Sequence, residues 1–210
     1  VLGTVIPFQA PCYVEHDDRL AKAWRAFWAN APLLLNRRVG VYTRLRLLNS
    51  VVGPCALWAV GALIHSKKKV THFNATMRCM AAKVVGSRRK RGETWLVWFR
   101  RSRRDAGALL HRLGLILWGD ALLVRSLTWA GHVSRMDNSR LCKRVLAWRD
   151  LSWWRRRQDL IALGFPLTHP QGAFGLPRRW GTLIDKCCIF NHNCAGGPQD
   201  WHSRAACRDS

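Results

Sequence analysis

The stretch Lys67-Lys68-Lys69-Val70-Thr71-His72-Phe73-Asn74-Ala75-Thr76-Met77-Arg78-Cys79-Met80-Ala81-Ala82-Lys83-Val84-Val85-Gly86 decides the fold class. Lys67-Lys68-Lys69 separates this helix from the one before it, and Val70, Phe73, Met77, Met80 and Val84 then recur three and four residues apart, which makes one apolar stripe on a helix. Gly86 suits a C-terminal cap, because it tolerates the left-handed backbone found there. Upstream, Val41, Leu45, Leu48 and Val52 share a second face, with Arg44 and Arg46 off it. Earlier still, Glu15, Asp17 and Asp18 precede Leu20, Ala23, Trp24 and Phe27. That pattern predicts an amphipathic helix with acids at its positive end. Pro32 and Gly40 mark the connection.

Working downstream, Arg88, Arg89, Lys90 and Arg91 form an exposed basic loop, and Thr94 to about Leu113 is again helical, ending at Gly114. This helix carries Trp95, Trp98 and Phe99, then Arg100, Arg101, Arg103 and Arg104. A fifth helix covers about 118–136, and Asn138 caps a sixth that includes Leu141, Val145 and Trp148. Residues 1–6 are β-rich and bounded by Pro7, so they read as a strand. After about Gly164, Pro166, Pro170, Gly172, Gly175 and Pro177 make the tail loop-rich. The expected class is mainly α, with a short N-terminal strand and an irregular basic C-terminal tail. The longest apolar run, 51–64, contains Pro54 and is too short to span a bilayer. It predicts a buried helix interrupted or started at that proline.

Composition narrows the partners. The 210 residues hold 35 Lys+Arg against 12 Asp+Glu, a formal net charge of +23. Such a surplus calls for a polyanion, with nucleic acid first and an anionic membrane surface second. The 12 Trp supply core bulk, and exposed ones such as Trp153-Trp154, beside Arg155-Arg156-Arg157, are candidates for stacking on bases. No charged segment leads into an apolar one at the start, so a secreted protein is not expected. The 8 Cys then read as free thiols in a reducing compartment, nuclear or cytoplasmic. Val1 is not Met, and the expectation is a chain that begins inside a longer protein.

Trp129-Ala130-Gly131-His132-Val133-Ser134-Arg135-Met136 is the most specific string in the chain. Periodicity alone makes Leu122, Ser126, Trp129 and Val133 a buried stripe. The string also resembles the W-x-G-H-V-x-R-M signature of reverse transcriptases from non-LTR (LINE-type) retrotransposons. Other stretches resemble the same family in the same order. Leu2-Gly3 within Val1-Leu2-Gly3-Thr4-Val5-Ile6 is similar to the L-G strand of the primer-grip region. Arg19-Leu20-Ala21-Lys22-Ala23-Trp24-Arg25-Ala26-Phe27 resembles the helix entering the thumb. Arg44-Leu45-Arg46-Leu47-Leu48-Asn49-Ser50-Val51-Val52-Gly53-Pro54 looks like the K-L-x-L-Y-N-S-V-V-x-P thumb helix. Arg78-Cys79-Met80, Val84-Val85-Gly86, Lys143-Arg144-Val145-Leu146, Trp148-Arg149, Pro177-Arg178-Arg179-Trp180 and Trp201, Ala205 and Arg208 resemble later segments.

The resemblance implies the thumb and C-terminal part of an RNA-directed DNA polymerase. Residues 1–14 would be the end of the palm and primer-grip strand, and 15–86 a thumb-like helical bundle. Residues 87–163 would be a helical extension, and 164–210 a loop-rich basic tail with a candidate zinc knuckle. The implied partners are RNA, DNA and an RNA–DNA hybrid, together with the upstream palm and fingers of the same parent chain, and no membrane. The parent would use Mg2+, held by paired carboxylates. Here the only adjacent acids are Asp17-Asp18, at an expected helix start where dipole compensation accounts for them. No catalytic residue and no cofactor is therefore expected in this segment, which should not polymerise alone. The alternative reading is a standalone or relic basic nucleic-acid-binding module without a polymerase parent.

Candidate phosphate contacts are Lys67, Lys68, Lys69, Arg88, Arg89, Lys90, Arg91, Arg100, Arg101, Arg103, Arg104, Arg155, Arg156, Arg157, Arg178 and Arg179. Cys194, His202 and Cys207 have the C-x7-H-x4-C spacing of a zinc knuckle, with Cys187 or Cys188 available as a fourth ligand. Cys188, Cys194, His202 and Cys207 are thus the candidate Zn2+ set. Against it, Cys188 to Cys194 is wide for a knuckle, and Cys207 stands where the family's terminal pattern has Asp. His132 has no acid or nucleophile placed beside it by sequence, so a packed helix histidine is expected.

Overall fold

The first helix of the computed structural model, α1 (Pro11–Ala29), begins before the acids expected to start it. The structure describes residues 11–63 and 65–164. The strand expected at 1–6, with Leu2 and Gly3, and the tail from 165 onward lie outside the described residues. Among the described residues the chain is mainly helical and contains no strand.

Pro11 fits the first turn of α1, where its missing N–H costs nothing. The acids consequently sit inside the helix and pair with cations instead of compensating its dipole. Arg19 bonds Glu15 at 2.5 Å and Lys22 bonds Asp18 at 2.6 Å, both one turn apart. Asp17 reaches Lys69 at 2.6 Å. Glu15 and Arg19 are themselves buried, and their four-residue spacing continues into the buried Ala23 and Phe27, with Leu20 beside them.

Two short helices follow, α2 (Ala31–Leu34) and α3 (Val41–Leu47). The helical path continues through a π-type turn at Leu48–Val52 into α4 (Gly53–Leu57). Pro54 has no N–H for a carbonyl one turn back, and a widened turn absorbs that interruption. The expected face is present, since Leu45, Leu48 and Val52 are fully buried. Arg44 departs from expectation by being buried as well. Its guanidinium donates to the carbonyls of Val39 at 3.0 Å, Leu34 at 3.3 Å and Val84 at 2.5 Å. Leu34 and Val84 lie in the last turns of their helices, where carbonyls lack helical partners and a cation suits the dipole.

Helix α5 (Lys67–Val85) carries the expected stripe and also takes into its first turn the lysine run expected to precede it. Ser66 caps its start, with Oγ accepting from the Lys69 amide at 3.3 Å. Gly86 closes it at φ 66°. Phe73, Met77, Met80 and Val84 are buried, and α5 packs against α1, α3 and α6 (Trp95–Arg112). The next helix, α7 (Trp118–Ser134), begins on Trp118, the largest fully buried side chain. Asn74 of α5 accepts from the Gly119 amide at 2.6 Å. A side chain at Gly119 would collide with the Val70 carbonyl and with Asn74.

The described residues divide into two units. The first takes in 11–60 and 65–124, whose core has just been given. In it His16 and His65, both buried, share a hydrogen bond at 2.8 Å, and His16 meets Phe73 edge-on at 5.9 Å between centroids.

The second unit takes in 61–63 and 125–164. There the Arg125 carbonyl stands 2.8 Å from where a Gly61 side chain would begin, so that glycine permits a close backbone approach. Of the expected stripe Ser126 and Val133 are buried here, while Trp129 is half-buried and packs on His132 at 5.5 Å; Ala130, outside the stripe, is buried as well. His132 itself is exposed. The last helix, α8 (Leu141–Ala162), starts behind Arg140 with no side-chain cap, so Asn138 does not play the part expected of it. Asp137 takes over locally by accepting from the Ser139 amide at 2.8 Å. Leu141, Val145 and Trp148 lie in this helix as expected, and all three are exposed.

Candidate nucleic-acid interface

The hairpin of α5 and α6 is the framework for most of the candidate cations. Gly86 ends α5, and Thr94 starts α6 by accepting from the Val97 amide at 3.3 Å. Between them Arg88, Arg89, Lys90 and Arg91 are all exposed. Bonds from α6 and from Glu93 just before it hold this loop. The Trp98 indole N–H donates to the Ser87 carbonyl at 2.9 Å, and Arg101 donates to the Arg88 carbonyl at 3.0 Å. Glu93 accepts from the Lys90 amide at 2.9 Å.

Glu93 and Arg101 form the centre of this arrangement. Arg101 grips the carboxylate with two bonds of 2.8 Å, the planar fork that guanidinium and carboxylate make best. The bond from Arg101, followed by that from Lys90, holds the Glu93 carboxyl at about 2, well below the usual range. The same pairing raises the Arg101 pKa. Arg101, one of the expected phosphate contacts, therefore also positions the loop. Sequence reasoning also passed over Glu93, the lone acid among cations just before a helix start.

The remaining candidates divide by partner. Lys67 and Lys68 are exposed in the first turn of α5. Cations there face the positive end of the helix dipole, an unfavourable placement that a polyanion relieves. Lys69 is held by Asp17. Arg100 and Arg104 are exposed, and Arg104 only grazes Asp105 at 3.9 Å. Arg103 lies over the Phe99 ring at 4.0 Å. In the second unit, Arg155 and Arg156 are exposed on α8. The side chains of Trp153, Trp154 and Arg157 lie outside the described residues. So do Arg178, Arg179, Cys188, Cys194, His202 and Cys207.

Chemically, this surface offers donors and positive charge. Among the described residues, no three His, Cys, Asp or Glu side chains come together to hold a metal ion. Asp17 and Asp18 are engaged by different lysines and do not fit a Mg2+ site. Cys55, Cys79 and Cys142 are free thiols. No described helix is long and apolar enough to cross a membrane. Comparison of the chain with protein-family models, curated proteins and solved structures finds no match in any of the three.

Proposed function

We propose that this chain binds nucleic acid through backbone phosphates, as the thumb and downstream segment of a non-LTR-type reverse transcriptase holding an RNA–DNA hybrid. The observation that carries the reading is the α5–α6 hairpin, which presents Arg88, Arg89, Lys90, Arg91, Arg100 and Arg104 to solvent in a chain of net charge +23. The polymerase attribution rests on the ordered resemblance, above all on Trp129–Met136. Phosphate contacts fix position and register, while base pairing carries the sequence information. The polymerising carboxylates and their Mg2+ belong to the upstream palm of the parent. Lys67 and Lys68 add charge to the same unit.

Salt dependence tests this. If about six phosphates are neutralised, log affinity for an RNA–DNA hybrid falls against log salt with a slope of about −5. Fluorescence anisotropy between 50 and 300 mM salt, conditions chosen on the order of the physiological range, measures it. A flat response, or no binding at the lowest salt, overturns the reading.

A further inference from the structure

The candidate contacts are not evenly spread along α6. Trp95, Phe99 and Arg103 are spaced four residues apart and therefore lie on one helix face. Trp95 and Phe99 stack with centroids 4.8 Å apart and planes only 19° from parallel. The Arg103 guanidinium carbon lies 4.0 Å from the Phe99 centroid. Phe99 thus supports an aromatic ring on its N-terminal side and a cation on its C-terminal side. Trp95 remains 58% exposed, although it is among the most expensive side chains to leave in water.

The C-terminal end of this ladder opens into a cleft of about 410 Å³ lined by Ala75, Arg78, Arg103, Arg104 and Gly107. Among the described residues that line it, three of five are arginines and none is an acid. The missing side chain of Gly107 leaves room for Arg78, whose Nε lies 3.6 Å from where a Cβ would stand. The Arg103 Nε is buried without a hydrogen-bond partner. Three like charges around one cleft repel each other, and a bound anion removes that cost.

From this juxtaposition we propose that α6 carries a binding site for single-stranded nucleic acid. One unpaired base stacks on the exposed face of Trp95, and backbone phosphate occupies the Arg78–Arg103–Arg104 cleft. A free base face is required, and bases inside a duplex have both faces covered, so the site selects single strands. Trp95 and Arg103 are separated by about 12 Å of helix, or about four nucleotide steps at 3.4 Å. This inference rests on the nucleic-acid reading above but assigns a different strand state to this site. A membrane surface is the weaker fit, because the indole is already fixed flat on Phe99 as a platform rather than free to insert.

The test uses the full chain with two labelled probes, a single-stranded RNA homopolymer of about ten nucleotides, well above the expected footprint, and an RNA–DNA hybrid of the same length. Trp95→Ala weakens single-strand binding by about tenfold, the worth of one stacked base, and leaves hybrid affinity within twofold. Trp95→Phe restores most of the loss. Arg78→Gln weakens single-strand binding and lowers its salt slope by about 1. Trp95 is exposed, so its variants should keep the helical circular dichroism and melting temperature of the parent. Hybrid binding with no response of single-strand affinity to Trp95→Ala overturns the inference and leaves the clamp reading standing. Absence of binding to either probe overturns both. Loss of flotation with phosphatidylserine vesicles in Trp95→Ala, with oligonucleotide binding intact, assigns the site to membrane instead.

Discussion

His65 shows how a buried pair couples the fold to pH. Burial, and then the neighbouring His16, lower its pKa from the usual 6.5 to about 4. The unfolded chain therefore binds a proton between about 6.5 and 4 that the folded chain refuses. In that window stability rises with pH. The contribution is complete above the unfolded value and lost as pH falls toward the folded one, on the order of 3 kcal/mol in all. Thermal melts from pH 7.5 down to about 4.5 should show a falling midpoint, and His65→Gln should flatten the slope. An unchanged slope in the variant would remove His65 from this role. Arg44 and Arg101 teach a related lesson about reading charges. Both look like surface cations in the sequence, yet one serves carbonyls at helix ends and the other grips Glu93. A side chain's partner is a tertiary fact, and periodicity places only its direction from the helix. Exposure was the legible part, as at Arg88 to Arg91, which stand in the exposed basic loop that their run suggests.

Helices α5, α6 and α7 were readable because stripe and punctuation agree. Gly86 and Gly114, both at φ 66°, stand where the apolar pattern runs out, and Thr94 stands where it begins. The start of α1 was hidden because Pro11 extends the helix ahead of its acids. The start of α8 was misplaced because Asp137, rather than Asn138, organises the turn. The π-type turn at Leu48–Val52 has no periodic signature of its own, and the four-residue spacing of Trp95, Phe99 and Arg103 gives a shared face but not the stacking on it. The seam between α5 and α7 yields the sharpest element-scale prediction. Gly119 sits against the Val70 carbonyl with no room for a methyl group, while its amide bonds Asn74. Gly119→Ala gains helix propensity but must displace backbone, so it should destabilise by about 1–3 kcal/mol in urea unfolding. A neutral result would mean that α7 shifts freely along α5.

Across the whole molecule, positive charge outnumbers negative almost threefold, 35 against 12. The described acids are largely taken, Glu15 and Asp18 by partners within α1, Asp17 by Lys69 and Glu93 by Arg101. The surplus sets long-range attraction to polyanions, and the local clusters decide where contact is made. The same abundance makes the chain rich in bonds that trypsin recognises, four of them in a row at 88–91. Those four lie in a loop tied at Ser87, Arg88, Lys90 and Glu93. A protease must draw several residues into an extended form before it can cut, and these ties resist that local opening. Brief digestion should therefore spare 88–91 relative to its exposure, and Glu93→Gln should make it one of the first places cleaved, as peptide mapping would show. The carboxylate that silences one arginine thus acts as the molecule's guard against being clipped at its most basic point.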